Sequence, residues 1–82
     1  MPLIPMTIQE QFARLILERR KRRGLTQAQL AILVGTSQTA IARLEKAQGN
    51  PTADLLQRVS NALNLEFTLY IRPQIATLKR NT

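Results

Sequence analysis

The 82-residue chain contains no cysteine and no histidine. It therefore cannot form disulfides or carry out thiol chemistry, and it lacks the commonest metal-binding side chains, so we expect neither a metal nor a cofactor. No run of about 18 apolar residues is present, which predicts no membrane span. The opening MPLIPMT is short, has no early basic residue and does not fit a secretory signal. A small domain without disulfides is usual in the cytosol, so we expect a cytoplasmic protein.

Groups suited to catalysis are also scarce. The chain has no glycine-rich phosphate loop, and a hydrolase would need a nucleophile and base pair that this composition does not readily provide. The five carboxylates are scattered among helix-cap and surface positions: Glu10, Glu18, Glu45, Asp54 and Glu66. An enzyme is therefore the least favoured class of protein.

Basic residues are abundant where acidic ones are few. Twelve lysines and arginines against five carboxylates give a formal net charge of +7 and a pI near 11.5. Such a balance favours a polyanionic partner, either nucleic acid or an acidic membrane surface. The length allows one small domain with a single modest core.

Residues 26–45 contain two short helical patterns that meet at one glycine. Thr26 and Gln29 form a capping box, which predicts that the first helix begins at Gln27. Gly35 ends this helix, because glycine reaches left-handed backbone angles without a Cβ penalty. The inward face is predicted from apolar residues at helical spacing: Leu30, Ala31 and Val34.

The second helix has Thr36 and Ser37 as capping candidates, and Ile41 and Leu44 are spaced to face inward. Two helices joined by a glycine turn and sharing an apolar seam form a helix–turn–helix. Glutamine can bond adenine, arginine can bond guanine, and threonine or alanine can contact a thymine methyl. The residues off the seam are therefore candidate base contacts, although an ordinary solvated surface has the same polarity: Gln38, Thr39, Ala40 and Arg43.

Residues 24–65 resemble the helix–turn–helix domain of the Xre/Cro-like family, which includes phage repressors and many small bacterial regulators. The matching segments are 24–27, 30–31, 34–38, 41–45, 50–51 and 55–56. The resemblance implies a λ-repressor-like fold that binds double-stranded DNA and that has five helices in most members. This chain departs from the pattern, because a strand-like segment stands where the fifth helix is usual.

The N-terminal part of the chain predicts an arm followed by a basic helix. Thr7 and Glu10 form a capping box, and the apolar stripe of the helix is Ile8, Phe12, Leu15 and Ile16. The helix ends in five consecutive basic residues at 19–23. Cations in a last turn complement the helix dipole, but five exceed that need. We favour phosphate contact over a membrane-surface role, since the helix has one aromatic and its apolar face is needed to cover the helix–turn–helix.

The resemblance also implies roles for individual polar residues. Arg20 would pair with Glu45 and tie the first helix to the third, contributing about 0–1 kcal/mol if the pair is exposed. The loop at 46–51 follows the DNA backbone in relatives, although for Gln48 an ordinary connecting loop is an equal interpretation. The predicted phosphate contacts are Arg22, Arg23, Thr26, Gln27, Ser37, Lys46 and Asn50.

A fourth helix and a strand complete the prediction. Thr52 caps the helix, Asn64 is expected as its left-handed C-cap, and its apolar face is Leu55, Leu56, Val59, Ala62 and Leu63. From Leu65 the apolar period changes to two, which predicts a half-buried strand. Because the chain has no second strand, a second copy would supply the partner. The pairing residues would be Glu66, Phe67, Thr68, Leu69, Tyr70, Ile71 and Arg72.

The expected architecture is therefore mainly α: an arm at 1–7, a four-helix domain at 8–64, a dimerising strand at 65–73 and a basic tail at 74–82. A C-terminal dimerising strand is similar to the HipB-like antitoxins, some of which are termed HigA-like. The favoured function is a bacterial, nucleoid-associated homodimer that represses its own palindromic operator and binds a toxin. The alternatives are a stand-alone phage or restriction regulator without a toxin, and a protein or membrane adaptor using the basic helix.

Overall fold

The computed structural model describes residues 7–66. They form four helices: α1 Ile8–Arg22, α2 Gln27–Val34, α3 Gln38–Glu45 and α4 Ala53–Ala62. The predicted mainly α, four-helix domain is thereby confirmed. Residues 1–6 and 67–82 lie outside the described part, which therefore excludes most of the predicted arm, the predicted strand from Phe67 onwards and the predicted tail. The two described residues of the strand segment, Leu65 and Glu66, belong to neither a helix nor a strand.

Each helix begins where the sequence places a capping residue. In all four cases a side-chain oxygen accepts the backbone N–H three residues further on, at 3.0–3.1 Å. Glu10 and Gln29 complete the two capping boxes by accepting from the backbone N–H of the cap. These contacts satisfy N–H groups that have no partner inside a helix. The caps are Thr7, Thr26, Ser37 and Thr52.

The left-handed residues that end the helices are also where the sequence predicts them. Gly35 closes α2 with φ 81°, and its N–H and that of Thr36 both donate to the Ala31 carbonyl. Asn64 has φ 56°, as expected, although the C-cap of α4 is the preceding residue, Leu63. An asparagine tolerates this region better than most residues with a side chain.

One apolar cluster holds the four helices together. α2 packs against α3 and α4, and α1 packs against α3. Leu55, Leu56, Ala62 and Leu65 are partly buried against the cluster. Its buried members come from every helix and from the C-cap of α4: Phe12, Ile16, Leu30, Ala31, Val34, Ile41, Leu44, Val59 and Leu63.

The buried face of α1 is narrower than the sequence predicts. Ile8 and Leu15 were expected to face inward, but they are 61% and 51% exposed. The buried residues Phe12, Ile16 and Arg20 follow an i, i+4, i+8 row. Ile8 lies one turn ahead of the first of them, at the start of the helix, and Leu15 is rotated by about 100° from Ile16.

No helix among residues 7–66 is long and apolar enough to cross a membrane.

Candidate nucleic-acid interface

The outer face of α3 presents the predicted base-contact residues together. Ile41 and Leu44 are buried in the seam with α2, so the opposite side of this eight-residue helix is turned to solvent. Gln38, Thr39 and Arg43 are exposed there, and Ala40 is half-buried at the edge. A short helix with a buried seam and a free polar face can enter a major groove without disturbing the core.

An ion pair fixes the end of α3 to α1. Arg20 Nε donates to Glu45 Oε2 at 2.6 Å and Arg20 Nη2 donates to Glu45 Oε1 at 3.0 Å, so the contact is bidentate. The third nitrogen, Nη1, donates to the Leu25 carbonyl at 2.8 Å. The side chains are only 11% and 4% exposed, so the small energy expected of an exposed pair does not apply. The hydrogen bonds that Arg20 donates to Glu45 raise the pKa of Arg20 above its ordinary value, against the effect of burial.

Gln27 joins the same contact from α2. Its Nε2 donates to Glu45 Oε1 at 3.0 Å, and the residue is half-buried. The side chain is therefore turned toward the ion pair, while its backbone lies in the first turn of α2. Of the other predicted phosphate contacts, Arg22, Thr26 and Ser37 are exposed, and the last two are the caps of α2 and α3. The amino ends of helices favour anions.

Some of the basic residues at the end of α1 bond to the protein, and others are exposed. Arg19 Nε donates to the Leu63 carbonyl and Arg23 Nη1 donates to the Ala62 carbonyl, both at 3.1 Å. These carbonyls belong to the end of α4, where no helical N–H can reach them. Lys21 and Arg22 are exposed. Arg19 and Arg23 therefore cap α4, although the basic run was expected to contact phosphate. Arg23 is itself one of the predicted phosphate contacts.

A third arginine, Arg58, also caps a helix, and this contact was missed in the sequence. Arg58 Nη1 donates to the Val34 carbonyl at the end of α2 at 3.0 Å, and Arg58 Nε donates to Asp54 Oδ2 at the same distance. The Asp54 and Arg58 spacing of four is a visible signal for the local ion pair. The carbonyl contact joins residues 24 positions apart, and no local pattern encodes it.

The loop between α3 and α4 is shaped by two left-handed residues. Ala47 has φ 56° and Gly49 has φ 73°. The carbonyl of Gly49 accepts from Gln9 Nε2 of α1 at 2.9 Å, which anchors the loop. Lys46 and Asn50, the predicted phosphate contacts of this loop, are both exposed. Asn50 lines the same surface hollow as Ala40 and Arg43 of α3, and Lys46 directly follows the last residue of that helix.

Comparison with known proteins identifies the family. The sequence profile described as helix-turn-helix matches residues 16–70, which is more than half of the chain. The chain belongs to the helix-turn-helix family. This helix-turn-helix protein is 44% identical, over 52 residues, to an uncharacterized HTH-type transcriptional regulator of Methanothermobacter thermautotrophicus. The match covers 63% of the present chain and 75% of that relative.

Solved structures agree with this assignment. The restriction-modification controller protein C.AhdI from Aeromonas hydrophila superposes with a TM-score of 0.66 at 28% identity, covering 71% of this chain and 88% of that one. A chain of the HipA-HipB-O2-O3 complex gives 0.70 at 25% identity, covering 87% and 100%. A HipB variant in complex with an O2 20mer gives 0.70 at 26%, covering 88% and 100%.

The resemblance to the Xre/Cro-like family is thereby confirmed, with HipB among the structural neighbours. The helix-turn-helix protein is a DNA-binding transcriptional regulator of the Xre type. The family is a class of transcriptional regulators and not a class of enzymes.

Proposed function

We propose that this regulator is a homodimeric repressor that reads a palindromic operator through α3 and is the antitoxin of a toxin–antitoxin pair. The observation that carries the proposal is the shared face on which α3 presents Gln38, Thr39 and Arg43 to solvent. Because Ile41 and Leu44 are buried on the opposite side, those three residues can approach base edges as a rigid group.

Phosphate contacts would surround this helix and set its register. Exposed Arg22 on α1, the caps Thr26 and Ser37, and Lys46 and Asn50 of the loop are the proposed contacts. Gln27 and Arg23 would contribute less through their side chains, since both already donate inside the protein. Contacts of this kind position a protein on DNA, whereas base contacts supply sequence preference.

The antitoxin role is supported by the similarity to HipB, which is found in complex with HipA. The similarity to a restriction-modification controller supports the alternative, a regulator without a toxin partner. A toxin reading frame beside this gene, and co-purification of its product with the regulator, would support the antitoxin role. Isolation of the regulator alone from cells that express both genes would favour the alternative.

The DNA-reading role is tested by comparing single substitutions on selected DNA. Preferred duplexes are first selected from a random pool with the full chain, and each base pair is then varied in quantitative binding titrations. Gln38→Ala should cost about 1–3 kcal/mol and relax preference at one base position. Arg22→Ala should weaken all duplexes alike and reduce the slope of log K against log salt by about 0.9.

Two matched controls are available in the chain. Gln57→Ala removes an exposed glutamine of α4, and Arg14→Ala removes an exposed arginine from the first half of α1. Neither should change sequence preference. If Gln38→Ala, Thr39→Ala and Arg43→Ala all leave the preference unchanged, α3 is not the reading helix. If no duplex is selected at physiological salt, the adaptor hypothesis is favoured instead.

A further inference from the structure

The side chain of Arg43 has different contacts from those of most arginines in the described part of the chain. Arg19, Arg20, Arg23 and Arg58 each donate to a carbonyl or carboxylate of the protein. Within residues 7–66, no hydrogen bond from the guanidinium of Arg43 is found, and the residue is exposed on α3. Its donors are therefore available to an outside acceptor.

The guanidinium of Arg43 lies directly against the backbone of Gly49. A Cβ on residue 49 would be 2.7 Å from Arg43 Nη2 and 3.4 Å from both Cζ and Nε. A carbon and a nitrogen that are not bonded do not approach to 2.7 Å, because van der Waals contact lies near 3.5 Å. Arg43 can hold this position only because residue 49 has no side chain.

The surface that receives Arg43 is itself fixed. The Gly49 carbonyl accepts from Gln9 of α1 at 2.9 Å, and the Gln48 N–H donates to the Arg43 carbonyl at 2.9 Å. The loop is thus tied to both α1 and α3. A long side chain that lies on a fixed backbone loses fewer rotamers when it binds, so less conformational entropy opposes binding.

We propose that Gly49 is a specificity-determining residue that acts through Arg43. By leaving room for the guanidinium, Gly49 allows Arg43 to lie against the loop in the orientation from which it reads its base pair. This inference rests on the proposed reading of bases by α3. Gly49 itself contacts no base in the proposal, so its effect is confined to the one base position that Arg43 reads.

The test is Gly49→Ala, measured on selected duplexes with every base pair varied. Discrimination at the position that Arg43→Ala identifies should fall by about three- to tenfold, which is part of the value of a full arginine contact. Discrimination at the Gln38 position should not change. In an Arg43→Ala background, adding Gly49→Ala should have no further effect on base preference.

Gly24→Ala is the matched control for backbone strain. Gly24 has φ +70°, close to the +73° of Gly49, but a Cβ there would meet nothing within 4 Å. The Gly24→Ala substitution should leave base preference intact. If Gly49→Ala folds poorly, Gly49→Asn replaces it, because asparagine tolerates left-handed angles and still adds a Cβ.

A measurement without DNA separates the two hypotheses. Relaxation of the Arg43 Nε–Hε group by NMR in the free protein should show greater mobility in Gly49→Ala than in the wild type or in Gly24→Ala. Unchanged mobility would overturn the inference, whatever α3 reads. Changed mobility with no effect of Arg43→Ala on base preference would refute the reading role of Arg43 and the specificity role of Gly49 with it. If Arg43→Ala changes base preference but the two substitutions act independently of each other, the inference about Gly49 is overturned and the reading role of Arg43 stands.

Discussion

At the scale of single residues, Glu45 is the acceptor at which three helices meet. It receives two hydrogen bonds from Arg20 of α1 and one from Gln27 of α2 while belonging to the end of α3. The sequence predicts the partner of Arg20 only through the family resemblance, because the two residues are 25 positions apart. Burial of the pair could not be predicted, since it depends on how α1 and α3 pack.

Removing the carboxylate should be costly. Glu45→Ala would leave the buried Arg20 guanidinium without its carboxylate partner, and we expect a loss of about 3 kcal/mol in the free energy of unfolding. Urea unfolding followed by circular dichroism measures it. Asp54→Ala, which removes the exposed partner of Arg58, is the control and should cost less than about 1 kcal/mol. A Glu45→Ala cost as small as the control's would contradict a structural role for the pair.

The pKa of Arg20 also predicts how this contact depends on pH. A group whose pKa is raised on folding stabilises the protein fully below its unfolded pKa and loses that effect only as pH rises through the folded pKa. Since the pKa of arginine is already high and is raised further here, protonation of Arg20 adds no pH dependence to stability at ordinary pH.

At the scale of helices and loops, the sequence predicts those features that are caused by residues close together in the chain. Caps, capping boxes and the left-handed Gly35 involve residues three or four positions apart, so the sequence shows them directly. The arginine caps could not be predicted, because Arg19 and Arg23 reach carbonyls 44 and 39 positions away. The exposure of Ile8 and Leu15 was missed for a related reason, because the width of a buried face depends on how the neighbouring helices pack.

Ala47 offers a test of loop energetics. It has φ 56°, a region that disfavours residues with a Cβ, so Ala47→Gly should raise the free energy of unfolding by about 0.5–1 kcal/mol despite the greater freedom of glycine when unfolded. The same change at Ala42, inside α3, should lower it by about 1 kcal/mol. Thermal and urea unfolding of both variants measure these changes in the free energy of unfolding. Equal destabilisation by the two would show that residue 47 is not held in the left-handed region.

At the scale of the whole molecule, the described residues form one helix-turn-helix unit. A palindromic operator needs two such units, with recognition helices about 34 Å apart for half-sites one turn apart. Alternation from Leu65 onwards predicts the strand that would join them, but Phe67 to Arg72 lie outside the described residues, so pairing remains a prediction. Leu65 packs against the core, which sets the point at which the chain leaves the helical domain.

Truncation after Glu66 tests the predicted strand. It keeps Leu65 on the core and removes the residues that would pair, so we expect a helical monomer that has lost most of its operator affinity. Truncation after Pro73 removes only the predicted tail and should leave a dimer. Leu69→Pro should act like the shorter truncation, because proline lacks the N–H that an antiparallel partner requires. Sedimentation equilibrium and operator titration give the readouts. A tight dimer of residues 1–66 would place the interface on the helical domain or the arm and not on the strand.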